Sequence, residues 1–180
     1  MQSHIGVGIG KYIEKEFLNS KTSIMISSPV ITTKIANMLM ELALKGIHIK
    51  IVTSPRVNEE SGKANIMLST FLNQKNNDQL KAKLELKIID NKKIPMNPAK
   101  MYIVDDKIAM IGSLNLAETH FWKYIEYLWI MDVAEFVNQV KNDFEKLWTS
   151  FSYISIDTNE KKAQTKNFIR KIRRKLYIVS

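Results

Sequence analysis

The chain has 180 residues, with 27 basic and 18 acidic side chains, no cysteine, 45% hydrophobic and 25% charged residues. That is the length and composition of one ordinary globular domain, and it excludes disulfides, thiolate metal sites and thiol nucleophiles. No apolar run approaches the roughly 18 residues a membrane helix needs, and the opening MQSHIGVGIG lacks the basic region and apolar core of a leader, so a cytoplasmic location is expected.

In chain order, KYIEKEFLNSK predicts a helix and TSIMIS a short strand ending at Ser27, Ser28 and Pro29. Thr32 or Thr33 can cap a helix whose Ile35, Met38, Leu39 and Leu42 recur at helical spacing, with Gly46 at its end. IHIKIVT follows as a strand, giving a β-α-β unit with parallel neighbours. SPRVNEESG reads as a loop, KANIMLSTFLNQ as a helix and LELKIID as a strand. KMYIVD and KIAMIG form two short strands about an Asp105-Asp106 turn. IEYLWIM is nearly continuous in apolar character, which suits a central buried strand. Asp132 can cap a last helix carrying Phe136, Val137, Val140, Phe144, Leu147 and Trp148 on one face. The expected fold class is α/β, a mixed sheet flanked by helices on both faces.

Charge divides the chain unevenly. From Glu160 onward there are eight Lys or Arg against one Glu, while the preceding residues are close to neutral. We expect residues 1–150 to form the domain and residues 151–180 to form a basic, helical C-terminal extension. In that extension Phe168, Ile169, Ile172 and Leu176 make an apolar stripe beside Arg170, Lys171, Arg173, Arg174 and Lys175. A stripe docked on the body is the plainest reading, and a nucleic-acid-binding arm is the next. A membrane-surface helix is disfavoured by the shortness of the stripe and its lack of Trp.

The chemistry is concentrated in NPAKMYIVDDKIAMIGSLN, residues 97 to 115. Lys100 is followed at fixed intervals by Asp105 and by Gly112-Ser113-x-Asn115. This pattern resembles the phospholipase D superfamily signature H-x-K-x4-D-x6-G-S-x-N, with every interval matched and Pro98 in place of the histidine. The framework from about Ile9 to Ser150 is similar to that superfamily's small single-motif endonucleases. The resemblance implies a phospholipase D-like sheet and a chemistry in which one histidine attacks phosphorus, a second protonates the leaving oxygen, and no metal or cofactor takes part. It implies phosphate contacts for Lys100, Ser113 and Asn115, support of the turn by Gly112 and Ser113, and a structural role for Asp105. Glu126, fourteen residues after Gly112, matches the acid that orients the family's histidine. One motif copy cannot build a two-motif site, so a homodimer with the site at its twofold interface is implied.

Pro98 has no titratable group and cannot attack phosphorus. Ala117 and Tyr124 also depart from the family, which commonly has threonine and asparagine there. The leading expectation is therefore a domain that binds phosphodiesters, chiefly nucleic acid, with catalysis lost or impaired. The rivals are an active metal-independent nuclease, in which a native histidine at 98 or His120 serves, and a regulatory or scaffolding pseudoenzyme. His120 is a candidate accessory residue able to contribute a proton or a phosphate contact, although a solvent-facing loop histidine is the plainer reading. The paired Asp105 and Asp106 are explained by a turn rather than by a metal. The glycines of GVGIG follow no strand and lack dinucleotide spacing.

Overall fold

The computed structural model describes residues 1–55, 57–73, 83–90, 92, 97, 99–151 and 153–155. Pro98 and the basic stretch from Arg170 to Lys175 lie outside the described residues. Along the chain run β1 (Gln2–Gly6), α1 (Gly10–Asn19), β2 (Ser23–Ser27), α2 (Thr33–Leu44), β3 (His48–Thr53), α3 (Glu59–Leu72) and β4 (Leu84–Ile89). The hairpin β5 (Met101–Val104) and β6 (Ile108–Gly112) comes next, then α4 (Glu118–Trp122), β7 (Glu126–Met131), α5 (Ala134–Ser150) and β8 (Tyr153–Ile154).

The eight strands form one sheet in the order β1-β7-β6-β5-β2-β3-β4-β8. β2 pairs in parallel with β3, and β3 with β4, as β-α-β crossovers require. The remaining pairs are antiparallel. The larger core joins Ile24, Ile26, Ile49 and Ile51 to apolar residues of α1, α2, α3 and α4, such as Phe17, Leu39, Leu68 and Phe121. The smaller core puts Val137, Val140, Phe144 and Trp148 of α5 against Val52, Ile103 and Ala109 on the other face. The fold is thus a mixed α/β sheet with helices on both faces, as expected. Among the described residues no helix is long and apolar enough to cross a membrane.

Several local expectations are corrected. β7 is next to the edge strand β1, and its residues alternate between buried and exposed instead of being buried throughout. Its apolar content misleads because Tyr127 and Trp129 face solvent. Thr32 stands at the N-cap of α2, but its hydroxyl donates to Glu118 Oε2 and does not cap the helix. Val133, not Asp132, occupies the N-cap of α5, and Asp132 Oδ1 accepts from the amine of Met1 at 2.9 Å. α3 begins inside the expected loop because Asn58 and Ser61 form a reciprocal capping box. The N-terminal strand β1 escaped the sequence reading, since QSHIG has little apolar alternation to announce it.

Asp105 ties the hairpin to the rest of the sheet. Asp105 and Asp106 have φ of 54° and 55°, and Lys107 N donates to Val104 O at 3.0 Å. This is the doubly left-handed two-residue turn that suits the twist of antiparallel strands, and aspartate tolerates it better than most residues. The Asp105 carboxylate then accepts from the amides of Lys21 (2.8 Å), Thr22 (2.7 Å) and Ser23 (2.9 Å), and from the Thr22 hydroxyl (2.9 Å). Desolvation pushes this carboxyl up, but the four hydrogen bonds together outweigh it and hold it below the ordinary carboxylate range.

Asp105→Asn keeps a side chain that tolerates positive φ and loses the charge. A loss of about 2–3 kcal/mol is expected at neutral pH, measured by urea unfolding. Because the folded carboxyl is shifted down, its contribution is complete above the unfolded value of about 3.9 and disappears as pH falls through the lower folded value. The stability gap between wild type and variant should therefore close in acid.

Candidate active site

The site grows from the junction of β5, β6 and β7. Lys100 directly precedes Met101, whose partner is Ile111, so the lysine enters beside the Gly112 end of β6. The approach is fixed by a buried clasp. Asn97 Nδ2 donates to Ser27 Oγ at 2.9 Å, Ser27 Oγ donates to Ala99 O at 3.1 Å, and Ala99 N donates to Asn97 Oδ1 at 2.9 Å. Lys100 is itself half-buried. Burial pushes its ammonium below the usual lysine range, against the opposing pull of the Glu126 carboxylate.

The segment from Gly112 to Leu116 is held from several sides. Gly112 passes so near β7 that an added Cβ would lie 2.1 Å from Tyr127 O. Ser113 N donates to that same carbonyl at 3.0 Å. The fully buried Tyr102 hydroxyl donates to Leu114 O at 2.7 Å, and burial raises its phenol far above the usual range. Leu116 N reaches both Val30 O and Ser28 Oγ at 3.1 Å. These bonds satisfy buried backbone groups of the loop and leave the Asn115 side chain aimed at its neighbours.

Glu126 organises those neighbours. It is only 6% exposed, and both its oxygens are occupied. Oε2 accepts from Ser113 Oγ, which in turn accepts from Tyr127 N at 3.0 Å. Oε1 faces His120 Nδ1 at 2.5 Å. On the far side of the ring, His120 Nε2 lies 3.2 Å from Asn115 Nδ2. A carboxylate can only accept, so Nδ1 carries the hydrogen; an amide nitrogen can only donate, so Nε2 faces Asn115 with its lone pair. Tyr124 packs edge-on against the imidazole, with ring centroids 5.1 Å apart.

The structure therefore brings together Lys100, Gly112, Ser113, Asn115, Glu126 and His120. His120 lies on α4, not in a loop, and is bonded through both nitrogens. Asp105 is at the other end of the hairpin as a structural tie. Among the described residues no group of three or more acids or histidines is placed to hold a metal. The sequence reading missed the clasp residues Ser27 and Asn97, the anchor Ser28, and Gly10. A Cβ on Gly10 would lie 2.3 Å from the Phe121 ring, so this glycine lets α4 seat against α1 and sets the position of His120. The GVGIG pattern contained that signal, though for close packing and not for a nucleotide.

Gly112→Ala places a methyl group against the backbone of β7, which cannot yield as a side chain can. A cost of about 2 kcal/mol or more in unfolding free energy is expected. The His120 imidazole resonances should shift with it, because Ser113 and Asn115 move when β6 separates from β7; both effects are readable by denaturant melts and NMR.

The profile of the family described as "Cardiolipin synthase, PLD-like domain" matches residues 13–148. No match was found among curated proteins. Among solved structures, NucT from Helicobacter pylori is 19% identical, with a TM-score of 0.64 over 85% of this chain and 99% of that one. Nuc from Salmonella typhimurium, described as a phospholipase D family member, is 18% identical, with a TM-score of 0.65 over 86% and 99%. Phosphatidylserine synthase from Haemophilus influenzae is 15% identical, with a TM-score of 0.65 over 96% of this chain and 45% of that one. At such identities the likeness is one of fold, and it extends over nearly the full length of the two single-domain structures. With the family profile spanning most of the sequence, the chain belongs to the phospholipase D-like domain family.

Proposed function

We propose that this chain is a phosphodiester-binding domain of nucleic-acid specificity, working as a homodimer, in which the family's usual route through the motif histidine is closed at Pro98. The observation that carries this reading is the convergence of a half-buried cation, Lys100, with the Asn115 amide and the His120 ring around one buried carboxylate. Such a site offers a charge and hydrogen-bond donors to phosphoryl oxygens. The basic residues Arg170, Lys171, Arg173, Arg174 and Lys175 add non-specific attraction to a polyanion.

The surroundings of the site restrict how a strand crosses it. Beside His120 opens a cavity of about 500 Å³ lined in part by Glu59, Glu60 and Glu118. These acids disfavour phosphates on that side, so the backbone of a bound strand crosses on the Lys100 side.

The dimer reading is supported by an exposed apolar surface that starts next to Glu126. Tyr127 and Trp129 on β7 have ring centroids 6.4 Å apart, and Tyr127 pairs across the ladder with Ile5, which is 75% exposed. Tyr124 and Ile125 extend the surface towards His120. An uncovered apolar area of this kind on a soluble domain is typical of an interface.

Labelled DNA and RNA, single- and double-stranded, should bind at low salt, with affinity falling steeply as salt rises. For duplex DNA, Lys100→Ala should reduce the slope of log K against log salt by about 0.9 per lysine in contact, hence by about two in a dimer. Absence of binding at low salt sinks the proposal. Separately, Ile5→Arg should convert the dimer to monomer in sedimentation velocity without lowering the melting temperature. A species already monomeric in the wild type removes the shared site.

A further inference from the structure

We propose that His120 has taken over the phosphorus-attacking role that position 98 lacks, so that the chain cleaves phosphodiesters without a metal through an off-motif histidine. This rests on the reading of the site as a phosphodiester site. The geometry is that of an activated base or nucleophile. One ring nitrogen is held by a carboxylate at 2.5 Å, and the other is directed beside a phosphate-binding amide at 3.2 Å. Glu126 fixes the tautomer that leaves Nε2 unprotonated, and it compensates the positive charge an imidazole acquires once Nε2 is substituted. A purely structural histidine would have no need of reach. His120 keeps 24% of its side chain exposed, while Phe121 beside it is 1% exposed and anchors α4.

The resting contact between Asn115 and Nε2 is compatible with turnover. When a phosphodiester enters, Asn115 Nδ2 transfers its hydrogen bond to a phosphoryl oxygen, and the Nε2 lone pair becomes free. Nε2 attacks phosphorus opposite the leaving ester oxygen, so that a P–N bond forms as the P–O bond breaks. The departing alkoxide takes a proton from a water molecule. The resulting hydroxide attacks phosphorus, the P–N bond breaks, and its electron pair returns to Nε2 with release of a phosphomonoester. Lys100 offsets the charge on the equatorial oxygens throughout. Glu126 acts through His120 and is a positioning residue.

The test uses the full chain with bis(p-nitrophenyl) phosphate in EDTA. Wild type should release p-nitrophenolate with turnover. Acid-sensitive, alkali-stable phosphoryl adducts should map to the His120 peptide by mass spectrometry. His120→Asn and His120→Gln should each lower turnover by at least about 10³-fold and abolish the adduct. Both should keep an unchanged circular dichroism spectrum. Glu126→Gln should lower kcat with KM little changed and shift the acidic limb of the pH-rate profile, which a merely structural role would not do. Wild-type turnover that survives both His120 substitutions overturns the assignment. So does the absence of turnover and adduct in a wild type that binds nucleic acid, an outcome that leaves the binding function standing. Loss of binding in the wild type would instead remove the phosphodiester reading itself.

Discussion

A buried carboxylate with two neutral donors is the constraint on which this site depends. Taking Glu126 out of water is costly unless its oxygens are satisfied, and the chain satisfies them with Ser113 and His120. Each bond fixes a different piece of structure. Ser113 belongs to the turn after β6, and His120 to the short helix α4. By holding both, Glu126 brings the turn and the helix into one site and sets the imidazole tautomer. Lys100 approaches from the neighbouring strand and is the positive charge that faces this carboxylate.

The rest of the fold makes that meeting reproducible. Strand β6 can lie against β7 because Gly112 has no side chain, and α4 can lie against α1 because Gly10 has none. Tyr102, Ser28 and the Asn97–Ser27 clasp use buried hydrogen bonds to lock the loops that bear Lys100 and Asn115. At the other end of the hairpin, Asp105 binds three successive amides before and at the start of β2 and so keeps β5 in register with the sheet centre. A motif that looks like one string is in physical terms two devices: a structural tie at Asp105, and an opposite end where Lys100 and Asn115 meet the Glu126 and His120 pair.

Much of this was legible from residue patterns. The β-α-β unit followed from apolar periodicity and Gly46, and the hairpin from Asp105-Asp106 between two apolar runs. The intervals from Lys100 to Asn115 and Glu126 pointed, by resemblance, to residues that lie together at the junction of β5, β6 and β7. What failed did so for identifiable reasons. The nearly continuous apolar character of β7 suggested a central buried strand, but Tyr127 and Trp129 face solvent. Thr32 and Asp132 had good capping chemistry, and each was drawn to a partner distant in sequence: Glu118 for one and the Met1 amine for the other.

The sequence by itself determined the fold class, the intervals that link Lys100, Asn115 and Glu126 and the absence of a titratable side chain at position 98, because these are properties of residue type and local interval. Only the tertiary structure decided the place of His120. Its separation from Asn115 and Glu126 in the chain says little, since a short helix can point a side chain in any direction. The packing of Phe121 on Gly10, and the need of a buried carboxylate for a second donor, turned the imidazole inward. Those are contacts between distant segments, and they exist only once the sheet has assembled.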